Sequence, residues 1–186
     1  MTLEIYSTVL TIGLGGVALA TLITILGYFL SASVRQQLLL IDYFTYIKAI
    51  GVLAITATLG ALFYQFYYAT PVCELCWWQR IFMFPIDIVV LVSLMHLVRV
   101  NHIIVGILAS FGAAFALYHY YYHFQIFVLG KTLSLPCNAY GLLPACTSSP
   151  IVIFGFVTIP LMALIVFVSI LALVFLAHKV SDNQRN

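Results

Sequence analysis

Charge is scarce in this sequence. Only 6% of its 186 residues are Asp, Glu, Lys or Arg, while 65% are hydrophobic, and a soluble domain carries about 25% charge. Seven basic and five acidic side chains cannot clothe a water-exposed surface of this length. No Lys/Arg-rich run exists and the net charge is +2, so no nucleic-acid partner is expected. A basic segment is also missing in front of the first apolar stretch, where the only charge is Glu4. That stretch is longer than the apolar core of a signal peptide, about 7–15 residues. Although "SAS" at 31–33 loosely resembles a cleavage site, the stretch is expected to stay as a helix. The alternation that lipid-facing barrel strands require is absent too, which excludes a closed β-barrel.

What is present is apolar sequence in long blocks. Five of them run over 5–30, 44–68, 77–98, 103–128 and 151–177. Each exceeds the roughly 20 residues that a helix needs to cross a bilayer core. The chain is therefore expected to be all-α and polytopic, embedded in the lipid bilayer as a single integral membrane domain over 1–186.

The few charges still orient it. Arg35 and Lys48, Arg99, and Lys179 with Arg185 flank the blocks on one side if all five cross. The other side receives Lys131, with Arg80 just inside the third block. Basic loop residues stay cytoplasmic. The N-terminus is therefore expected outside and the C-terminus inside, with all four cysteines at the outer face, where disulfides persist.

Those cysteines form two pairs, Cys73 with Cys76 and Cys137 with Cys146. The second pair lies in "PCNAYGLLPACTSSP", a stretch punctuated by Pro136, Gly141, Pro144 and Pro150 that reads as a loop. A bridge there would close a ring of about ten residues and contribute roughly 2.5–3 kcal/mol. Structural staple and exchangeable disulfide both stand as readings of it.

The first pair, in "CELCWWQR" at 73–80, precedes an apolar block. It puts two thiols at a helix N-terminus, where free N–H groups and the macrodipole favour a thiolate. Arg80 follows Cys76 by four residues and shares its helix face. It either snorkels to the interface or serves the dithiol, as an intramembrane cation that marks function. Trp77 and Trp78 suit an interfacial aromatic belt. A zinc site with His119 and His123 is the weaker alternative, because eight residues separate the second pair where a zinc motif has about two to four. No metal is therefore expected. Asp87 stands seven residues from Arg80, and is expected to pair with it or with a water chain.

"CELCWWQR" followed by "IFMFPI", together with "PCNAYGLLPACTSSPIVIFGFVTIPLMALI" at 136–165, resembles the DsbB/BdbC family of membrane disulfide-bond formation proteins, nearer the BdbC branch. The resemblance covers about residues 45–176. It implies a four-helix transmembrane core, here 44–177, to which this chain adds one N-terminal helix over 5–30. It implies a bacterial inner-membrane, quinone-dependent thiol–disulfide oxidoreductase. Such a protein reoxidises an extracytoplasmic thioredoxin-fold partner of the DsbA/BdbD kind and passes electrons to ubiquinone or menaquinone. By position Cys73 and Cys76 match the pair beside the quinone, with Cys76 engaging its ring, and Arg80 matches the arginine that supports both. Cys137 matches the cysteine that the partner attacks, and Cys146 its companion, which exchanges with Cys73. The family also places a histidine near the quinone, for which His119 and His123 are candidates. The rival readings are a membrane scaffold or metal-handling protein with structural disulfides, and a vitamin K epoxide reductase-like quinone reductase. In the latter the order of the cysteine pairs fits less well.

Overall fold

A computed structural model describes residues 3–69, 72–95, 101–130 and 153–185. Among the described residues six α-helices follow one another: α1 Leu3–Leu30, α2 Ala32–Leu40, α3 Tyr43–Tyr67, α4 Glu74–Leu94, α5 His102–His123 and α6 Ile159–Arg185. A π-helical turn, Phe124–Val128, continues α5. Among the described residues there is no strand, only an isolated bridge between Ile153 and Val157. Five helices are long and apolar enough to span a bilayer, so the all-α, polytopic expectation holds.

Helix starts are written into the sequence by short polar residues. Ser31 accepts from Val34 N at 3.4 Å, Asp42 from Phe44 N at 2.9 Å and Asn101 from Ile103 N at 3.0 Å. Each satisfies an amide that the helix itself leaves unpaired. The Ser31 cap starts α2, a helix too short and too polar to cross a membrane, which the apolar blocks alone do not reveal. Helix α6 also departs from its apolar block. It begins at Ile159, eight residues later than hydropathy suggests, after a tight turn at 153–157. It then runs on through polar residues to Arg185. Hydropathy marks where the bilayer is crossed, and backbone hydrogen bonding carries the helix past that point.

The core lies between α3, α4, α5 and α6. Ile47, Ile50, Ile86, Val105, Phe167 and Ile170 are fully buried there. Glycines permit the close approach that membrane helices depend on. A Cβ on Gly112 would sit 2.2 Å from the Phe167 ring, and one on Gly51 2.8 Å from Val90. The outward faces are apolar as well: Val52, Leu59, Ile88, Ile107 and Phe111 are all exposed. In water such a surface would aggregate; in lipid it is solvated.

Helix α1 is peripheral. It packs mainly on α6 and α2. Tyr6 meets Phe63 and Tyr64 of α3 at ring distances of 4.7 and 5.1 Å. Further along, Thr21 donates to Ser169 of α6 at 3.0 Å.

Candidate functional site

Cys73 is itself the N-cap of α4. Its sulfur accepts from the amide of Cys76 at 3.3 Å, the role that Ser or Asp plays at other helix starts. An N-cap sulfur faces unpaired amides and the positive end of the helix, so negative charge on it is stabilised. One turn on, Cys76 Sγ lies 2.7 Å from Cys73 Sγ. The local helix geometry thus holds the two sulfurs in contact.

Tertiary packing then gives the two sulfurs different surroundings. Cys73 is buried and faces α5, where His119 Nε2 lies 3.8 Å from its sulfur. His119 is 1% exposed, and its Nδ1 hydrogen-bonds Gln79 Nε2 at 3.1 Å. The amide NH₂ donates in that bond, so Nδ1 accepts and the ring proton resides on Nε2, facing the sulfur. Cys76 instead borders a cavity of about 470 Å³ between α1, α3, α4 and α6.

Arg80 lines that same cavity. One guanidinium nitrogen donates to Gln65 Oε1 of α3, and the other donates to the Ala61 carbonyl at 3.2 Å. The guanidinium carbon also lies 5.4 Å from the Trp77 ring centre. Helix α3 and a tryptophan therefore fix the cation beside Cys76, and among the described residues no carboxylate pairs with it. Trp77 and Trp78 are both 41% exposed, as residues of an interfacial belt are.

Of the sequence candidates, Cys73, Cys76, Arg80 and His119 come together here. His123 is buried one turn beyond His119, with the two rings 4.6 Å apart. Cys137 and Cys146 lie outside the described residues. Asp87 does not pair with Arg80: Thr58 of α3 donates to its Oδ2 at 2.6 Å. Seven residues of helix rise about 10 Å, more than a short acid can bridge while α3 offers both residues nearer partners. Gln79 and Gln65 carry the network, yet sequence reasoning assigned them no role. The available signal was the cost of an amide in a membrane helix, which implies a polar partner.

The donor atoms of Cys73, Cys76 and His119 lie within 4.8 Å of one another. This is a set of soft ligands, one short of the four that a structural zinc site takes.

A juxtaposed dithiol capping a transmembrane helix, with a histidine on one sulfur and an arginine-lined cavity on the other, defines a class: integral membrane thiol–disulfide oxidoreductases. Comparison with known proteins gives the family. Residues 45–177 match the family described as disulfide bond formation protein DsbB, and the chain belongs to it. It is 32% identical over 136 residues to the SPbeta prophage-derived disulfide bond formation protein B of Bacillus subtilis, covering 71% of this chain and 87% of that one. It is 38% identical over 128 residues to a probable disulfide formation protein C 1 of Bacillus anthracis, covering 66% and 84%. It is 33% identical over 127 residues to disulfide bond formation protein C of Bacillus subtilis, covering 68% and 87%. No solved structure matches the chain. The protein is thus a multi-pass inner-membrane protein of disulfide-bond formation, with thiol–disulfide oxidoreductase activity.

Proposed function

We propose that the protein reoxidises an extracytoplasmic thioredoxin-fold oxidase of the DsbA/BdbD kind and delivers the electrons to a membrane quinone, ubiquinone or menaquinone. The observation that carries this reading is the position of Cys76, which lines the same cavity as Arg80. The cavity suits such a molecule. Its volume is that of a small-molecule site, its walls are mostly apolar, and Gln65 and Arg80 offer polar groups near Cys76. A quinone bound there supplies an acceptor for two electrons and two protons.

The chain's own residues do the rest. Cys73 and Cys76 give up two electrons and two protons as they close their disulfide. The helix N-terminus stabilises whichever sulfur is negative, and Arg80 holds positive charge beside Cys76. His119, oriented by Gln79, turns its Nε2–H toward Cys73, where it can donate a hydrogen bond that stabilises the thiolate.

The loop pair passes oxidising equivalents outward. A partner thiolate attacks Cys137 of the Cys137–Cys146 disulfide, and the partner's second thiol releases the mixed disulfide. The loop dithiol then reduces Cys73–Cys76, Cys146 exchanging with Cys73, each step through a mixed disulfide. In this reading residues 44–177 form the catalytic four-helix core, and 5–30 is an added helix. The N-terminus and the cysteines are extracytoplasmic, and the C-terminus is cytoplasmic.

The test is to trap the partner. With the partner's second cysteine replaced by Ser, the mixed disulfide at Cys137 loses the thiol that releases it, so a reductant-sensitive covalent complex should accumulate in cells. Its absence, together with undiminished partner oxidation by a Cys137→Ser, Cys146→Ser double variant, would leave the loop disulfide a staple. A membrane-impermeant thiol reagent applied to intact, reduced cells should label the loop pair. Labelling only after lysis would reverse the topology.

The clustered donors of Cys73, Cys76 and His119 favour one second reading, a metal-handling site. Stoichiometric zinc in the purified, reduced protein that is lost in His119→Ala would support it. Metal-free protein with full oxidase activity would dismiss it.

A further inference from the structure

The cavity beside Cys76 has a wall that the family match does not include. That match begins at residue 45, yet Val9, Leu10, Gly13, Leu14 and Val17 of α1 line the cavity. These five positions fall on one face of a helix that turns about 100° per residue. All are apolar or glycine, whereas the polar lining that meets Cys76 comes from α3 and α4. Helix α1 is held on both sides of this stretch. On one side Tyr6 packs against Phe63 and Tyr64. On the other, Thr21 bonds Ser169, and Tyr28 meets Phe175 at 5.4 Å. Between these anchors α1 touches α3 sparingly: a Cβ on Gly60 would lie 3.9 Å from Leu10 Cδ1. Residues 9–17 therefore span an apolar slot and leave it unfilled.

We infer that α1 is the tail-binding wall of the electron-acceptor site. The ring of an isoprenoid quinone belongs at the Cys76–Arg80 end, and its hydrocarbon tail lies along residues 9–17. Helix α1 then determines how strongly the tail contributes to binding, without touching the reacting atoms. The inference rests on the quinone reading above and deepens it. It assigns to the added helix a part in choosing the acceptor that the four-helix core alone does not supply.

Gly13 is the position to alter. It lines the slot, and a Cβ there meets nothing within 4 Å. A Gly13→Leu side chain would occupy space that the tail needs. Gly15 has equally open surroundings, but it lies about 200° further around the helix, facing away from the slot. Gly15→Leu is therefore the matched control. The protein in phosphatidylcholine nanodiscs would be titrated with ubiquinone and with menaquinone bearing a full isoprenoid tail, and with the same rings bearing one isoprene unit. Binding is followed by quenching of Trp77 and Trp78 fluorescence. Gly13→Leu should weaken binding of the long-tailed quinone by about tenfold, or 1.4 kcal/mol, and leave the short-tailed one unchanged. Gly15→Leu should alter neither. A long-tailed analogue with a photoreactive group on its tail should crosslink to residues 9–17. Retained short-tail binding shows that the variant is folded. Equal weakening of both tail lengths, weakening of neither, or crosslinks confined to α3 and α6 would overturn the tail wall while leaving the ring site standing. If the unmodified protein binds neither quinone, the acceptor reading fails, and the wall fails with it.

Discussion

Each end of α5 carries a histidine hydrogen-bonded to a neighbouring helix, and the two ends differ in what surrounds it. At the α5 N-terminus, His102 Nε2 meets His178 Nδ1 of α6 at 2.9 Å. His178 in turn pairs with Asp182 at 3.3 Å, and both partners are nearly half exposed. Near its C-terminus, His119 is completely enclosed, held by Gln79 and facing the Cys73 sulfur. Two imidazoles and a carboxylate in a chain look more like catalytic machinery than one imidazole and an amide. Yet among the described residues no cysteine lies at the His102 end, and the described cavity lies at the other end. A histidine cluster becomes a reaction centre through the group it serves and the space beside that group. Without these, it ties two helices together.

Substitutions can break this contrast or sharpen it. The largest effect should come from Cys76→Ser, which removes a sulfur that no neighbour can replace. Steady-state oxidation of a dithiol partner should fall to background, while helical content by circular dichroism stays unchanged. Arg80→Met comes next. It keeps the length of the stem and removes the charge, together with two hydrogen bonds to α3. A charge-assisted bond from Arg80 to a quinone oxygen would contribute about 1.5–3 kcal/mol, so its loss should raise the quinone dissociation constant roughly ten- to a hundredfold. Arg80→Lys should recover part of this, because an ammonium lacks the guanidinium fork. An Arg80→Met protein with unaltered quinone binding would reduce Arg80 to an interfacial anchor.

Gln79→Leu should act more gently and only through His119. It leaves a buried imidazole nitrogen without its donor, at a cost of about 1–3 kcal/mol. It should slow reoxidation of the Cys73–Cys76 dithiol by about tenfold, and shift the pH dependence of that step, while quinone affinity is kept. Loss of affinity instead would make Gln79 a quinone ligand rather than a positioning residue. The smallest effect belongs to the opposite end. His178→Ala should cost about 1 kcal/mol or less of stability, as half-exposed pairs do, and leave turnover untouched. A turnover defect there would erase the distinction between the two ends.

Much of this was legible in the sequence, for reasons that differ from residue to residue. The spans were, because 20 apolar residues in a row have few other uses. The thiols at the start of α4 were, because C-x-x-C before an apolar block places them there whatever the tertiary packing. Arg80 was marked by its isolation, but of the two expectations for Asp87, pairing with Arg80 or with a water chain, the first does not hold. Asp87 accepts from Thr58 across the α3–α4 interface through Oδ2, and Arg80 donates to Gln65 and Ala61. Contacts between helices depend on rotation and depth, which one sequence does not encode locally. The choice between His119 and His123 was undecidable for the same reason. Both occur one turn apart on α5, and only packing against α4 brings the first to the sulfur. Helix α1 read as an addition to a four-helix core. That it walls a cavity follows from the gap left between its anchors.

The central claim is that Cys73 and Cys76 alone form the electron outlet toward the quinone. The most direct measurement is a single-turnover reaction of the Cys137→Ser, Cys146→Ser double variant, which keeps only those two of the four cysteines. The reduced, purified variant would be mixed anaerobically with a quinone, and quinol formation followed by absorbance. The account predicts one quinol per protein, formed together with loss of both free thiols, and none when Cys76→Ser is added. No quinol from the double variant, with its thiols intact and its fold preserved, would contradict it.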